Sequence, residues 1–382
     1  MHKVYRFRLE PTKPQLKRME RTLELCRNVY NKTLAYRRDK WQNEHVHVSK
    51  YESHDLLPQW KREQPELKEV FSQTLQEAQE RVDLAFKHFF RRVRNGENPG
   101  YPRFKGKGWY DSFCYPQMGF KINDDSIYLS KIGVVYMVKH RPIMGEVKRV
   151  YVRRKNEKWY ACLAVEYDEK KMDGQPDRPS IGIDMGLESF ATLSNGEKIP
   201  NPRFFREEEK ALAKAQRKLS KAEKGTPERA RARKVVARIH ERIGNRRHDF
   251  IHQLSHRLVN RFGLIAFEDL NIKSMARNHC LAKSISDAAW RMLINTTKYK
   301  AESAGTRVVL VNPANTSKMC SRCGTLVEKE LGDRVHKCPC CGLVMDRDEN
   351  AAINILRLGL QSVARKKSEE AHELQPWEQS RD

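Results

Sequence analysis

The stretch Lys337–Ile355, KCPCCGLVMDRDENAAINI, runs from a cysteine pair into three acidic residues and then straight into a helix. Cys338-x2-Cys341 answers Cys320-x2-Cys323, with 14 residues between the two pairs. That spacing fits two knuckles of a tetrahedral four-thiolate zinc site, each closed by a glycine, Gly324 or Gly342, that eases the turn. Cys340 lies next to Cys341 and competes for the fourth position. A site filled by four protein ligands leaves no open position, so the zinc is structural. Beyond it, Asp348 shares a helical face with Ala351, Ala352 and Ile355, whereas Asp346 precedes the helix. Either aspartate also suits a helix N-cap.

Two apolar strands upstream carry further acids. In SIGIDMGL, alternation sets Ile181, Ile183 and Met185 on one face and Gly182, Asp184 and Gly186 on the other. Burying such a carboxylate is expensive unless a cation meets it, and its glycine neighbours leave room for one. GLIAFEDL repeats the situation, with Glu268 or Asp269 as the inward acid. Acids at strand, strand and helix start in an alternating α/β segment can converge on two divalent ions about 3.5 to 4 Å apart. An all-carboxylate set suits hard cations, so Mg2+ is expected, with Mn2+ able to take its place. The cysteine ribbon then reads as an insertion, which the chain leaves to deliver a third carboxylate.

The opening VYRFRLEP alternates like a strand, and from about Thr12 a helix carries Leu16, Met19, Leu23, Cys26 and Tyr30 on one stripe. A second helix has Leu75, Ala78, Val82, Phe86 and Phe89 as its apolar line and ends in Arg91, Arg92 and Arg94. It runs into NGENPGYPRFKGKG, whose Arg103, Lys105 and Lys107 suit a phosphate backbone. From about Met118 to Tyr167 the period is two, and lysine and arginine recur on the polar positions, as on a sheet with one basic face. A polar, proline-bearing boundary falls near residues 168–180. Residues 201–260 hold 17 Lys and Arg against 7 acids, and Gly225-Thr226-Pro227 breaks this region into a helical hairpin that includes Arg246 and Arg247.

The whole 382-residue chain carries 74 Lys and Arg against 49 Asp and Glu, a formal charge of +25, which calls for a polyanionic partner such as nucleic acid. No apolar run reaches the ~18 residues of a membrane span, and the N-terminus lacks a signal-peptide core, so a soluble protein inside the cell, with no membrane partner, is expected. Five of nine cysteines cluster between Cys320 and Cys341, which argues for metal in a reducing compartment rather than disulfides.

GIDMGL, FEDLNI, TSKMCSRCG, KCPCCG and DRDENAAINI, together with RRHDFIHQLSHRLV and PGYPRFKG, resemble the TnpB family. These are transposon-encoded RNA-guided endonucleases related to type V CRISPR effectors. The resemblance implies an α/β and all-β multidomain protein: a RuvC-like, RNase H-type nuclease core with an inserted zinc ribbon, preceded by a wedge β-barrel with a helical recognition insertion. It distributes the chain as barrel 1–10, recognition helices 11–103, barrel 104–175, nuclease 176–315 with the charged hairpin 203–260, ribbon 316–345, last nuclease helix 346–362 and polar tail 363–382. It also implies Asp184, Glu268 and Asp348 as metal ligands, a guide RNA from the element's own end, and target double-stranded DNA beside a short motif read by the N-terminal half. The expected setting is the cytoplasm of a prokaryotic cell, at the nucleoid, and the sequence leaves the oligomeric state open, with a monomer favoured. A guide that carries specificity by base pairing fits high charge without an evident base-reading motif. Three other readings compete: an unguided nuclease or transposase-like strand-transfer enzyme, for which no separate helix-turn-helix signature is evident; a catalytically idle RNA-guided repressor; and a zinc-ribbon scaffold that leaves the acids unexplained.

Overall fold

The computed structural model describes residues 2–167, 178–271, 275, 277, 279–330 and 332–373. Most of the expected boundary near 168–180, and residues 374–382 of the tail, lie outside the described residues. The chain divides into two compact units, 1–168 and 169–382.

In the first unit, strand β1 (His2–Glu10) precedes helices α1 (Lys13–Glu44), α2 (Lys50–Glu63) and α3 (Ser72–Arg94). Six strands follow: β2 (Ser112–Tyr115), β3 (Phe120–Ile122), β4 (Ser126–Leu129), β5 (Gly133–Val138), β6 (Glu146–Lys155) and β7 (Lys158–Glu166). They join β1 in one antiparallel sheet of order β2-β6-β7-β1-β5-β4-β3. Alternation explains how β1 sits: Tyr5, Phe7 and Leu9 are buried while Val4, Arg6, Arg8 and Glu10 are exposed. The buried side meets Trp159, Ala161, Leu163 and Val165 of β7 and the α1 stripe of Met19, Leu23, Cys26 and Tyr30 in one core. Helix α2 lies within the expected helical stretch 11–103 but off the two apolar stripes read there; Ser49 and Glu52 close a capping box at its start, a signal legible in the sequence.

The second unit contains β8 (Ser180–Asp184), β9 (Ser189–Leu193), β10 (Lys198–Pro200), α4 (Phe204–Lys221), α5 (Pro227–Arg261), β11 (Leu264–Glu268), α6 (His279–Ala288), α7 (Trp290–Ala304), β12 (Arg307–Val311), the hairpin β13 (Val335–Lys337) and β14 (Val344–Asp346), and α8 (Arg347–Glu373). Its five-stranded sheet has the order β10-β9-β8-β11-β12, with β11 parallel to both β8 and β12. Ile181, Ile183, Phe190, Ile265 and Phe267 pack with Ile251, Leu254, Leu258, Leu293 and Ile294 of α5 and α7. On the other face, Leu264, Ala266 and Val311 meet Ile355 of α8. The α8 backbone stays helical to Glu373, past the end expected at residue 362, because Ser362 to Glu373 contain neither glycine nor proline.

Candidate active site and metal centre

Parallel pairing of β8 with β11 places Ile183 beside Phe267, so the next residues, Asp184 and Glu268, stand at the carboxyl ends of adjacent strands. Glu268 is the inward acid of its pair, buried, while Asp269 is exposed. The third carboxylate arrives with α8, which crosses the sheet in direct contact. A Cβ on Gly182 would stand 2.1 Å from the Ala352 carbonyl oxygen and 2.5 Å from the Leu356 nitrogen. A Cβ on Gly359 would lie 2.6 Å from the Ala266 methyl. The room beside Gly182 therefore admits a helix backbone rather than the cation expected from the sequence. With α8 held this close, Asp348 in its first turn reaches the strand ends.

The charges register this convergence. Burial pushes the Asp184 carboxyl well above the ordinary carboxylate range, and the negative charges of Glu268 and Asp348 push it further. Burial also raises Glu268, opposed by the Thr316 hydroxyl, which donates to Glu268 Oε1. Asp348 Oδ1 accepts from the Arg347 guanidinium at 3.0 Å. Asp346 has a different role: its Oδ1 accepts from the backbone N–H groups of Asp348 (2.9 Å) and Glu349 (3.1 Å), and its Oδ2 from Lys198 Nζ at 2.6 Å. Those bonds make it the cap of α8 and hold its carboxyl below the usual range, despite partial burial that acts the other way. Two adjacent candidates are thus separated by what each carboxylate already binds. Sequence reasoning had missed Thr316, Lys198 and Arg347; a threonine four residues before Cys320 carries no local signal of a carboxylate brought close only by the fold.

In the ribbon, Cys320, Cys323, Cys338 and Cys341 bring their Sγ atoms within 4.8 Å of one another, the one such group of His, Cys, Asp or Glu among the described residues. Cys320–Cys341 and Cys323–Cys338 approach to 3.6 and 3.5 Å. A tetrahedron of ~2.3 Å zinc–sulfur bonds has edges of ~3.8 Å, so four thiolates here could hold zinc. Gly324 and Gly342 adopt φ 79° and 71°, and their N–H groups return to the carbonyls of Cys320 and Cys338. Cys340 is exposed and outside the cluster. Two cations span a wider ligand set than one, and carboxylate oxygens match hard ions, so Asp184, Glu268 and Asp348 suit a divalent pair chemically.

The five residues expected to touch nucleic acid divide by surroundings. Arg103 and Lys107 are exposed on the loop after α3. Lys105 fastens that loop, its backbone N–H bonding Asn31 Oδ1 at 2.8 Å and its carbonyl accepting from Arg27 and Asn31. Arg246 pairs with Glu207 at 2.6 Å and covers the Phe204 ring. Arg247 pairs at 2.8 Å with Asp287, whose carboxylate also accepts from the Phe205 N–H. That contact ties the charged hairpin to α6.

Residues 162–279 match a family described as a probable transposase, residues 290–355 a Cas12f1-like TNB domain and residues 1–45 a helix-turn-helix domain. Over that last range the structure is β1 followed by a single helix, α1. A Streptomyces pristinaespiralis protein named as a candidate RNA-guided DNA endonuclease is 37% identical over 95% of this chain and 90% of its own length. A candidate RNA-guided DNA endonuclease of Escherichia coli, InsQ, is 30% identical over 93% of this chain and 92% of its own. A TnpB-like protein of Acanthamoeba polyphaga mimivirus is 27% identical over 59% of this chain and 46% of its own length. Among solved structures, a chain of a Cas12f1–sgRNA–target DNA complex superposes with TM-score 0.55 at 16% identity, covering 88% of this chain and 81% of that one, which bears on the fold alone.

Proposed function

Since this chain belongs to the TnpB family of transposon-encoded RNA-guided endonucleases, we propose that it cuts target DNA by phosphodiester hydrolysis, directed by a guide RNA from its element's end and a short motif beside the target. One observation carries the reading: Asp184 and Glu268 end adjacent parallel strands, and Asp348 opens the helix packed against them. A sheet with acids placed this way supports a RuvC-like nuclease core, and the strands of the first unit, with three helices inserted after β1, support the split wedge arrangement. When bound, Mg2+ or Mn2+ supplies the charge that activates the attacking water and stabilises the leaving oxygen.

The protein's own residues do the rest. Asp184, Glu268 and Asp348 would hold the ions, and hydrolysis requires all three ionised, against the upward push of burial on both Asp184 and Glu268 and of neighbouring negative charge on Asp184. Arg347 lies beside Asp348 and balances part of that charge, while Asp346 and Lys198 fix the helix end. The zinc ribbon is structural, held by its four cysteines. Base pairing with the guide selects the target, so beyond the short motif the protein's cations need contact mainly backbone.

The test is to express the protein with its native flanking DNA, sequence the RNA that purifies with it and supply the matching target. Asp184→Ala, Glu268→Ala and Asp348→Ala each lose nearly all cleavage, a fall of at least about 1000-fold on the scale of removing a principal catalytic group, while guide-RNA binding persists. Substantial cutting by the Asp348 variant would assign the third ligand elsewhere. Heterogeneous RNA with intact cutting would favour the unguided reading, and joined rather than hydrolysed ends would favour strand transfer.

A further inference from the structure

A buried polar chain links Glu268 to the first cysteine knuckle. Thr316 is almost fully buried, and its hydroxyl has one hydrogen to give between Glu268 Oε1 and the Pro313 carbonyl at 3.1 Å. The ionised carboxylate is the stronger acceptor. The backbone of the same residue is gripped from α8: Asn354 Nδ2 donates to the carbonyls of Thr316 (2.9 Å) and Met319 (2.7 Å), while Arg357 donates to Asn354 Oδ1 at 3.1 Å. One turn earlier, Asn350 Nδ2 donates to the Met319 carbonyl at 2.8 Å and its Oδ1 accepts from the Ser321 N–H at 2.9 Å. Both asparagines are fully buried. Apolar side chains could fill that volume without the desolvation that a buried amide suffers, so their recurrence on one helical face, against one backbone segment, calls for an explanation beyond packing.

Asp348 lies on the same helix, two residues before Asn350. One rigid element thus carries one of the acids and grips the segment whose hydroxyl holds another. We propose that Thr316, locked by Asn354, is a positioning residue for Glu268. It fixes the carboxylate's orientation relative to Asp348 and transmits the placement of the ribbon's root to the metal site. This rests on the reading of Asp184, Glu268 and Asp348 as ligands of divalent ions. Partners that orient a metal-binding carboxylate typically contribute about 10- to 100-fold to metal affinity.

The experiment is Mn2+ binding to the zinc-loaded, RNA-free full chain, read by loss of the free Mn2+ electron paramagnetic resonance signal, with zinc content and melting temperature measured alongside. Thr316→Val weakens Mn2+ binding about 10-fold or more with zinc content unchanged, and Thr316→Ser, which restores only the hydroxyl, returns the affinity to near wild type. Equal affinity in the valine variant overturns the proposal, as does a serine variant as weak as the valine one, since the methyl group would then be what counts. Should the valine variant lose zinc or melt early, Thr316→Cys, similar in size and a weaker donor, is read in its place, and wild-type affinity there overturns the proposal equally. Failure of the underlying site looks different: wild type and Glu268→Gln would then bind Mn2+ alike.

Discussion

Asp184 and Asp346 are both aspartates near the end of a strand, and their surroundings push them in opposite directions. Asp346 gains two backbone N–H groups and a lysine, whereas Asp184 gains burial and the negative charges of Glu268, Asp348 and Asp346 itself, opposed in part by Arg347. Without a bound cation, Asp184 is held above its unfolded value near 3.9. The stability linked to its proton is then fully present below that value and lost as pH rises through the raised one. In magnesium-free buffer with zinc retained, the contribution of Asp184 to the wild-type melting temperature should fall as pH rises from about 4 through its raised value. Asp184→Asn should flatten that fall, and added Mg2+ should raise neutral-pH melting in wild type more than in the variant; parallel curves would remove Asp184 from the cluster. At Gly182 the constraint is steric: a methyl would meet the α8 backbone, which cannot swing aside as a side-chain tip can. Gly182→Ala should destabilise the second unit by about 1–3 kcal/mol, read as a lower urea midpoint with unchanged zinc content.

At the scale of elements, the hairpin of α4 and α5 separates two arginines that the sequence presents as equals. Arg247→Ala leaves the buried Asp287 with one partner fewer and should cost roughly 1–3 kcal/mol. Arg246→Ala removes a more exposed pair, expected to be worth under about 1 kcal/mol. Chemical denaturation of both variants, with guide-RNA affinity measured in parallel, distinguishes fastening from binding; equal stabilities would refute the distinction. The elements most legible in the sequence were those whose pattern is local. Alternation in β1 and β7, the apolar stripe of α1, the break at Gly225 and the cysteine knuckles all follow from spacing within a few residues. What stayed hidden depends on residues distant in the chain. Gly182 reads as room for a cation until α8 occupies that room, and Thr316 carries no signal until β11 brings Glu268 beside it. Helix α2 lay in a stretch of mixed polarity whose capping box was the one clear sign, and Phe86 and Phe89, expected on the buried line of α3, are only partly covered.

For the whole molecule, charge is the property that the fold leaves unneutralised. Ion pairs engage many of the arginines, yet each pairing leaves the total of +25 unchanged. Guide-RNA binding should therefore weaken by about 1000-fold or more between roughly 50 and 200 mM salt, as expected when six or more phosphates are neutralised. A nearly flat plot of log affinity against log salt would mean that recognition rests on contacts other than phosphate.

Connectivity sets a different condition, on how the chain is made. Strand β1 sits inside the first sheet, between β5 and β7, and Leu9 pairs with both Met137 and Trp159. During synthesis it leaves the ribosome long before either partner exists. At ~5–20 residues per second, the intervening chain takes on the order of ten seconds to half a minute to appear. Throughout that interval both edges of β1 lack their permanent neighbours, and an unpaired edge invites pairing with another chain. The helices α1 to α3 are the first structure able to shelter it. Deleting residues 2–10 would move the exposure onto β5 and β7 permanently, and aggregation of the nascent protein, rather than slow catalysis, is the defect to expect.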